Sequence, residues 1–467
     1  MVGEHAIAQV WEDNLALKLH AILNSKEVKW TSTDVVRIGI VGEPAPVILW
    51  IGVLPNSLSS DDGIAVACEC KNLLEDFKIT DVHVEIRESV VTRLAGPALL
   101  EPTYSTDPTV NFTEPLSTAL GLPISTQITP WAEGTGGIFI REGGQDTKRL
   151  LLLTARHVIF KPDRDNNETY EYKPNDQPRH NVILFGNNAF EKFLSSIQAE
   201  IRRKAVLIPI LESQIKSVEG KDNPKANKDR EQKITSLGQA REAETALNTF
   251  HNDILEGWGN QESRVLGHAI FSPPIGVGVG TEDYTEDFAI IEVDPSKVNN
   301  FRGNTIDLGT LIPPEMFCEI MQVSTYPDDR LLKLQGIISD DEMRHPPMMD
   351  TMDSPCLMVL KRGSATGLTI GRANNIVSYV QYYYEDNIPA TSKVWCIASY
   401  NQESGPFSGS FSRKGDSGSV VVDGLGRIGG IITGGSAGAS PSTDLTFATP
   451  ISFLLKRIQD YGFKVDL

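Results

Sequence analysis

The sequence predicts an α+β protein with more than one domain, on three observations. The chain has 467 residues, which is more than one domain usually holds. Its first part alternates between helical and strand-like apolar spacing, and short apolar segments separated by glycine dominate its later part. We therefore expect a small α/β domain over residues 1–94, a linker over 95–130, and a mainly-β domain over 131–467 with a helical hairpin inserted at about 189–258.

The first domain is predicted from two helices and three strands. Residues 4–24 have the periodicity of an amphipathic helix, and the segments VVRIGIVG (35–42) and VILWIGV (47–53) are short and β-branched, as strands are. A second helix is predicted to begin at a cap formed by Ser60 or Asp61, and it leads to the alternating segment DVHVEIRESVV. The sequence assigns this domain no chemistry.

The next segment predicts a connector followed by a β domain. Residues 95–130 are rich in proline, serine and threonine, which favours an extended linker over the surface with a short helical turn near Ser117. Beyond it, many short apolar segments such as RLLLLTARHV, EDFAIIEV and RIGGIITGG predict an antiparallel barrel or sandwich.

Two long helical patterns interrupt these strands. From residue 189 to 218, and again from 230 to 258, apolar residues recur mostly every three or four positions. The polar segment EGKDNPKANKD separates the two, so an antiparallel helical hairpin is the simplest interpretation. Pro209 is expected to kink or break its first helix.

The composition of the chain argues against several kinds of binding partner and site. A formal net charge of −18 argues against binding nucleic acid or an anionic membrane through bulk electrostatics. Charged residues interrupt the N-terminus where a signal peptide would be apolar, and the five scattered cysteines favour free thiols over disulfides. Cys68 and Cys70 lack a nearby histidine, so core packing explains them better than metal binding. We expect a cytoplasmic protein without metal or cofactor.

One glycine-rich segment, SRKGDSGSVVV, raises the question of a nucleophile. The hydroxyl of Ser417 would be weak at neutral pH unless the chain supplies a base, an orienting acid and an oxyanion site. Of eight histidines, His157 alone ends a strand-like run, LLLLTARHV, where an imidazole can face a cleft. It is therefore the candidate general base, although a histidine at such a position is often structural.

The orienting acid should be a buried carboxylate. Asp287 directly precedes the apolar strand of DFAIIEV, which suits a carboxylate held at the rim of a core. Three alternatives precede the apolar run and would remain in solvent more easily: Glu282, Asp283 and Glu286.

The glycines around Ser417 have a mechanical role in this interpretation. Gly415 can adopt a positive φ and present its backbone N–H beside that of Ser417, which would give two donors to a developing oxyanion. Gly418 would let the chain leave the turn. The plainer interpretation of GDSGS is a polar hairpin turn, and its coincidence with His157 and Asp287 disfavours that.

The motifs TARHV, DFAII and GDSGS, in this order, resemble those of the trypsin-like serine peptidases of the chymotrypsin fold. The resemblance covers roughly residues 131–467 and implies a double β-barrel. It further implies that His157 is the general base, Asp287 its orienting acid and Ser417 the nucleophile, with Gly415 and Ser417 as oxyanion donors. The arrangement is similar to that of uncharacterised intracellular fungal members.

The resemblance also implies substrate contacts. GGIITGGS is similar to the family's substrate-binding strand, so Thr433, Gly434 and Gly435 would pair with the substrate backbone. The pocket floor would be Phe411, which predicts an apolar or small side chain at the cleavage site. LKRGSATGLTIG (360–371) is similar to the strand and turn that precede the oxyanion loop in intracellular and viral members.

Two departures from the family pattern affect activation. His157 and Asp287 are 130 positions apart because of the predicted hairpin (287 − 157 = 130). Zymogen-type members release a new N-terminus that pairs with the acid beside the nucleophile. Asp416 stands at that position, but no clear activation sequence precedes EGTGGIFI.

Three hypotheses follow from the sequence. The first is an intracellular endopeptidase that acts on a polypeptide substrate. The second is a binding or scaffold protein on a peptidase fold, which recruits partners through the hairpin or the first domain. The third is a peptidase that acts mainly on its own linker near residues 95–130.

Overall fold

The computed structural model describes residues 2–3, 5–38, 45–89, 96–143, 149–174, 176–219, 223–350, 354–383, 389–400, 409–436 and 444–467. The chain divides into two units, residues 1–94 and 95–467. The end of the predicted strand 35–42 lies outside the described residues.

The first unit is a three-stranded sheet with two α-helices. Its elements are α1 (Ala16–Ser25), β1 (Trp30–Arg37), β2 (Val47–Val53), α2 (Ser60–Asp76) and β3 (His83–Glu88), preceded by a 3₁₀ turn (Ala6–Gln9) and a π turn (Trp11–Leu15). β2 is central, antiparallel to β1 and parallel to β3. Helix α2 buries Val66, Cys70 and Leu74, which recur every four residues. Its cap is Ser59 instead of Ser60 or Asp61, because the Ser59 hydroxyl accepts from the Asp62 N–H.

The strands of the second unit are short. They are β4 (Leu122–Thr126), β5 (Gly134–Gly136), β6 (Ile138–Glu142), β7 (Leu150–Thr154), β8 (Tyr170–Glu171), β9 (Asn181–Leu184), β10 (Val265–Ser272), β11 (Gly276–Val279), β12 (Tyr284–Glu286), β13 (Ala289–Val293), β14 (Thr305–Asp307), β15 (Leu331–Lys333), β16 (Leu357–Gly363), β17 (Gly367–Ala373), β18 (Ser378–Tyr383), β19 (Pro389–Ser399), β20 (Val420–Asp423), β21 (Ile428–Ser436), β22 (Leu445–Pro450) and β23 (Val465–Asp466).

Its α-helices are α3 (Val110–Thr113), α4 (Arg156–Ile159), α5 (Asn187–Ser217), α6 (Pro224–Trp258), α7 (Pro314–Met321), α8 (Asp340–Arg344) and α9 (Ile451–Asp460). Short 3₁₀ helices lie at Glu114–Leu116, Glu262–Arg264 and Pro295–Lys297.

The first sheet of this unit is a half-barrel with the strand order β23-β6-β7-β13-β10-β9-β4-β5, and β8 pairs with β10. Gly137 alone separates β5 from β6, and its N–H donates to the carbonyl of Leu153. The strands near the two ends of the sheet are thus joined through one residue, and the sheet must curve to bring them together. Leu122, Ile138, Leu152 and Ile290 are fully or almost fully buried in this curve.

The second sheet closes into a ring. Its order is β11-β12-β19-β17-β16-β20-β21-β22, and β22 pairs back with β19. A core of residues that include Val359, Trp395, Ile397 and Val421 fills the ring. Half-barrel and ring are both antiparallel apart from the parallel contact of β12 with β19.

The helical hairpin is formed by α5 and α6, which occupy the connection between the paired strands β9 and β10. Its base is anchored to the half-barrel, where Phe190, Phe193 and Ile197 of α5 and Ile254 and Trp258 of α6 are buried. Helix α5 continues through Pro209, so of the expected kink or break the break does not occur. A proline removes one hydrogen-bond donor, and the other bonds of this helix suffice to carry it across.

Residues 95–130 correct one expectation. The second half of the predicted surface linker is part of the half-barrel, because β4 pairs with β5 and β9. Leu116, Leu120 and Ile124 are buried, so the apolar residues of this segment outweigh its prolines. The helical turns α3 and Glu114–Leu116 directly precede Ser117.

Candidate active site

The pairing of β7 with β13 brings His157 to Asp287. The two strands are antiparallel, with Thr154 opposite Ala289. His157 lies three residues beyond Thr154, in the short helix α4, and Asp287 lies two residues before Ala289. Continuing the strands in opposite directions therefore places the two side chains together across 130 residues of sequence.

Asp287 lies at the crossover between the two sheets. The strand before it, β12, belongs to the ring, and the strand after it, β13, belongs to the half-barrel. Its side chain is buried, at 4% exposure, as an orienting carboxylate must be.

Two hydrogen bonds join the pair. One oxygen of Asp287 accepts from the His157 backbone N–H at 3.1 Å, and the other lies 2.6 Å from Nδ1. A carboxylate accepts only, so Nδ1 carries the proton and Nε2 of a neutral imidazole is left as the acceptor. This is the tautomer that a general base requires.

Electrostatics favour a proton on this imidazole. Burial lowers the pKa of His157, but the charge of Asp287 and its hydrogen bond outweigh burial, and the net pKa is raised above its ordinary value. An imidazolium formed during a reaction would be stabilised by the same carboxylate.

The three alternative acids have other partners. Glu286 is buried against Arg457 at 2.7 Å, Asp283 pairs with Lys393 at 3.2 Å, and Glu282 pairs with Lys456 at 2.5 Å. Asp287 is therefore the acid that the structure places beside His157.

Arg156, which the sequence analysis did not predict as a site residue, links the segments that carry His157 and Asp287. Its buried guanidinium donates to the hydroxyl of Ser272 at 2.9 Å and to the carbonyl of Glu168 at 2.8 Å. Ser272 in turn donates to the carbonyl of Phe288, the residue after Asp287. The residues that flank His157 and Asp287 are thus tied to one another.

The loop that carries Ser417 lies against the end of the half-barrel. The carbonyl of Ser417 accepts from the Thr135 N–H at 2.9 Å. Gly418 follows with φ of 91°, and a Cβ there would lie 2.2 Å from both the carbonyl oxygen of Thr135 and Oγ1 of Thr154. Position 418 therefore requires glycine, both for its backbone conformation and for the lack of space. Thr154, which approaches it, lies three residues before His157.

Ser417 and His157 do not complete a hydrogen bond. Both residues are described, and the Ser417 hydroxyl makes no hydrogen bond to His157 or to any other described group. Such bonds are often long in unliganded enzymes and tighten when substrate binds.

The predicted oxyanion donors are unengaged. Gly415 has φ of 109°, in the region that favours glycine. Within the described residues, neither its N–H nor that of Ser417 donates a hydrogen bond. The Gly415 carbonyl is held on the other side of the loop by the hydroxyls of Ser364 at 2.7 Å and Thr135 at 2.9 Å.

The predicted substrate strand has an unpaired edge. The ladder of β21 with β20 reaches Ile431, and Ile432 still exchanges backbone hydrogen bonds with Gly418 and Ser419. The pairing of β21 with β22 continues beyond this point through Gly434 and Gly435 to Ser436. The register shifts between Ile432 and Gly434, which places the bulge at Thr433. A Cβ at Gly434 would meet no atom within 4 Å, so this edge has room for a ligand.

Phe411 requires a correction. It was expected at the floor of a substrate pocket, but it is 1% exposed and belongs to the core of the ring. Gly371 approaches its ring so closely that a Cβ there would lie 2.7 Å away. A large apolar side chain next to a barrel interior gains more from the core than from a cleft, and Phe411 accordingly packs in the core of the ring.

Other features lie apart from these residues. A cleft of about 1150 Å³, lined among others by Tyr104, Arg302 and Leu311, shares no residue with the site. Within the described ranges, no cluster of three or more His, Cys, Asp or Glu could hold a metal ion. No helix among the described residues is long and apolar enough to span a membrane.

Comparison with known proteins gives structural similarity alone. No family model and no curated protein matches the sequence. The chain is similar to the crystal structure of the Rv3671c protease from M. tuberculosis in its active form, with a TM-score of 0.27 and 13% identity over 81% of this chain and 95% of that chain. It is also similar to a serine-to-alanine mutant of Rv3671c in an inactive form, with a TM-score of 0.29 and 14% identity over 79% of this chain and 98% of that one. The narrower resemblance to fungal proteins has no support in these comparisons.

Proposed function

We propose that this chain is a serine endopeptidase on a chymotrypsin-like fold, with Ser417 as nucleophile, His157 as general base and Asp287 as orienting acid. One observation carries the proposal: Nδ1 of His157 lies 2.6 Å from the buried carboxylate of Asp287, beside a loop that holds Ser417 against the same strand end. The half-barrel and the ring are consistent with the two barrels of that fold.

The first step would form an acyl-enzyme. Oγ of Ser417 attacks the carbonyl carbon of the peptide bond while Nε2 of His157 accepts its proton. The negative oxygen of the tetrahedral intermediate is stabilised by the N–H groups of Gly415 and Ser417. When the C–N bond breaks, the imidazolium gives its proton to the leaving amine.

The second step would release the acyl group. Water attacks the ester carbon while His157 accepts one of its protons. When the tetrahedral intermediate collapses, the bond from carbon to Oγ breaks and the imidazolium returns that proton to Oγ, which gives a carboxylic acid and the free Ser417 hydroxyl. Asp287 stays ionised throughout and holds the imidazole in place. The chemistry needs no metal and no cofactor.

The substrate would be a polypeptide in extended form. Thr433, Gly434 and Gly435 offer backbone groups at the open edge of β21, where a peptide can add as a strand. The net charge of −18 favours neutral or basic partners over nucleic acid or anionic membranes. A cytoplasmic location is part of the proposal, because all five cysteines are free thiols.

A peptide library tests the proposal. We expect the purified chain to cleave internal peptide bonds, Ser417→Ala to abolish cleavage, and the exposed Ser105→Ala to leave it unchanged. Cleavage that persists in Ser417→Ala at the rate of the unchanged protein would refute the assigned nucleophile. A truncation confined to residues 95–130 and absent from Ser417→Ala would indicate self-cleavage.

The second candidate is a binding protein that retains the peptidase fold. The absence of a Ser417–His157 hydrogen bond favours it, as do the exposed apolar side chains of Val206, Ile210 and Ile234 on the hairpin. Partners would bind the hairpin or the first unit. This candidate predicts a folded protein that cleaves no peptide and reacts with no serine-directed probe.

A further inference from the structure

The acid beside the nucleophile is wholly enclosed. Asp416 is 0% exposed, and its first oxygen accepts the backbone N–H groups of Ala365 at 2.9 Å and Thr366 at 3.2 Å. Its second oxygen accepts the Thr366 hydroxyl at 2.7 Å and the Arg413 N–H at 2.9 Å. The turn between β16 and β17 therefore holds this carboxylate directly.

A lysine on β16, one of the two strands joined by this turn, supplies a positive charge to Asp416. Lys361 of β16 is also 0% exposed, and its Nζ lies 3.4 Å from Asp416. Among the described residues no other basic side chain lies within ion-pair distance of this carboxylate. Nζ also donates to the carbonyl of Gly367 at 3.1 Å and to the Thr366 hydroxyl.

Strand register explains why a lysine is buried there. Leu357 and Val359 point into the core of the ring, and Lys361 continues the same face at a spacing of two. A lysine at a core-facing position is costly unless its charge is paired. The pairing with Asp416 offsets that cost, and loss of either partner would leave an uncompensated buried charge.

The Lys361–Asp416 ion pair lies directly before the nucleophile in the chain. Asp416 directly precedes Ser417, and the preceding carbonyl, that of Gly415, accepts from Ser364 of the same hairpin turn at 2.7 Å. The carbonyl of Ser417 is held from the half-barrel by Thr135. The backbone from 415 to 417 is thus fixed at three successive residues, and the ion pair anchors the middle one.

An activating cut upstream would disturb the fold. β4 (Leu122–Thr126) pairs with β5 (Gly134–Gly136), so a break between them would divide a strand pair of the half-barrel. The carboxylate that a released N-terminus would bind already has five partners and no exposed surface.

We propose that Lys361 is a positioning residue that holds the nucleophile loop ready in the intact chain, so that no cleavage is needed for activation. The proposal rests on the proposed peptidase function. Lys361 acts through Asp416 and touches no substrate.

The pair also gives a pH signature. Burial lowers the pKa of Lys361, Asp416 raises it, nearby Arg362 lowers it further, and the result is about 8. Because the pKa is depressed, Lys361 loses its proton as the pH rises through about 8, and Asp416 then lacks its counter-ion. The loop should loosen and the reactivity of Ser417 should fall on the alkaline side.

Labelling by a fluorophosphonate probe tests the proposal. An intact chain whose N-terminus is extended by a tag should label at the rate of the untagged chain. Lys361→Met should label roughly a hundredfold more slowly, as for the loss of an oxyanion donor. Its residual rate should no longer fall as the pH rises above about 8. Lys333→Met, at an exposed side chain of β15, is the matched control and should behave as the unchanged protein.

A double variant keeps the test open if Lys361→Met does not fold. Lys361→Met with Asp416→Asn leaves no unpaired buried charge. It should label as slowly as Asp416→Asn alone, because Lys361 acts only through Asp416. A double variant slowed by the product of the separate effects, or a Lys361→Met protein as reactive as the unchanged chain, would overturn the proposal.

Hydrogen exchange separates this proposal from the proposed function. In folded Lys361→Met, the hydrogen-bonded amides of Arg413, Asp416 and Gly418 should exchange faster than in the unchanged chain, whether or not the protein has activity. Unchanged exchange there would refute the role of Lys361. Faster exchange without labelling in any variant would instead support the role and refute the peptidase. Labelling that begins only after cleavage would overturn the proposal and leave the peptidase standing.

Discussion

Asp287 accepts two hydrogen bonds from His157, one from the backbone N–H at 3.1 Å and one from Nδ1 at 2.6 Å. The first fixes where the chain places the residue, and the second fixes the orientation and tautomer of the ring. One carboxylate therefore sets both the position of His157 and the nitrogen of its ring that carries the proton. Neither bond involves a residue of the helical hairpin, although 130 residues separate the partners (287 − 157 = 130).

Asp287→Asn should separate these two effects. An amide can donate to Nδ1, which would move the imidazole proton to Nε2 and slow labelling of Ser417 by roughly 10⁴. Loss of the negative charge should also lower the raised pKa of His157. In the unchanged protein the reactivity should be lost as the pH falls through that raised pKa. The acidic limb of the variant should lie at lower pH, and a limb that does not move would contradict the pairing.

Gly418→Ala should disrupt the nucleophile loop. The positive φ alone costs about 1–2 kcal/mol for alanine, and its Cβ would clash with Thr135 and Thr154. Thermal unfolding should show lower stability and labelling should be slower. The control is Gly238→Ala in α6, where a Cβ meets nothing within 4 Å and helix stability should rise slightly. Equal effects of the two substitutions would argue against the close packing of the loop.

Phe411→Ala should affect stability and not specificity. The side chain is buried in the ring, so its truncation should lower the free energy of unfolding by about 3–5 kcal/mol. Cleavage preference in a peptide library should stay the same. Tyr379→Ala, an exposed position on β18, should change neither property. A changed preference without loss of stability in Phe411→Ala would restore this residue to the substrate pocket.

The distal half of the hairpin should be dispensable. Residues 205–245 lie beyond the anchoring side chains at its base, so their replacement by a short glycine-serine turn should leave thermal stability and peptide turnover nearly unchanged. By contrast, Trp258→Ala at the anchored base should cost about 3–5 kcal/mol. Altered substrate choice in the shortened protein would instead give the hairpin a role in gating.

Local sequence patterns predict much of this fold. Apolar residues every three or four positions are sufficient to predict α5 and α6, because the base of the hairpin buries one face of each helix. The same kind of local pattern failed for the β4 segment, where proline and threonine predicted a linker. Leu122, Pro123 and Ile124 are nevertheless buried in a strand, and burial depends on neighbours that are distant in sequence.

Some residues of the candidate site could also be predicted from local sequence patterns, and others could not. His157 and Asp287 could be found because each adjoins an apolar run, and the pairing of those runs joins them. Thr135 and Lys361 could not be found in this way, because their roles depend on contacts with the loop around Ser417. Thr135 lies more than 200 residues before that loop, and Lys361 lies about 50 residues before it (416 − 361 = 55). The one available signal was a lysine in the core-facing register of PCLMVLKRG.

The assignment of Ser417 as nucleophile can be measured by labelling the intact, purified chain with a fluorophosphonate probe and identifying the modified peptide by mass spectrometry. We expect stoichiometric modification at Ser417, lost in Ser417→Ala and reduced by orders of magnitude in His157→Ala, with both variants folded. A folded, unchanged protein that takes up no probe, or takes it up at another residue, would contradict the assignment of Ser417, His157 and Asp287 as a catalytic triad.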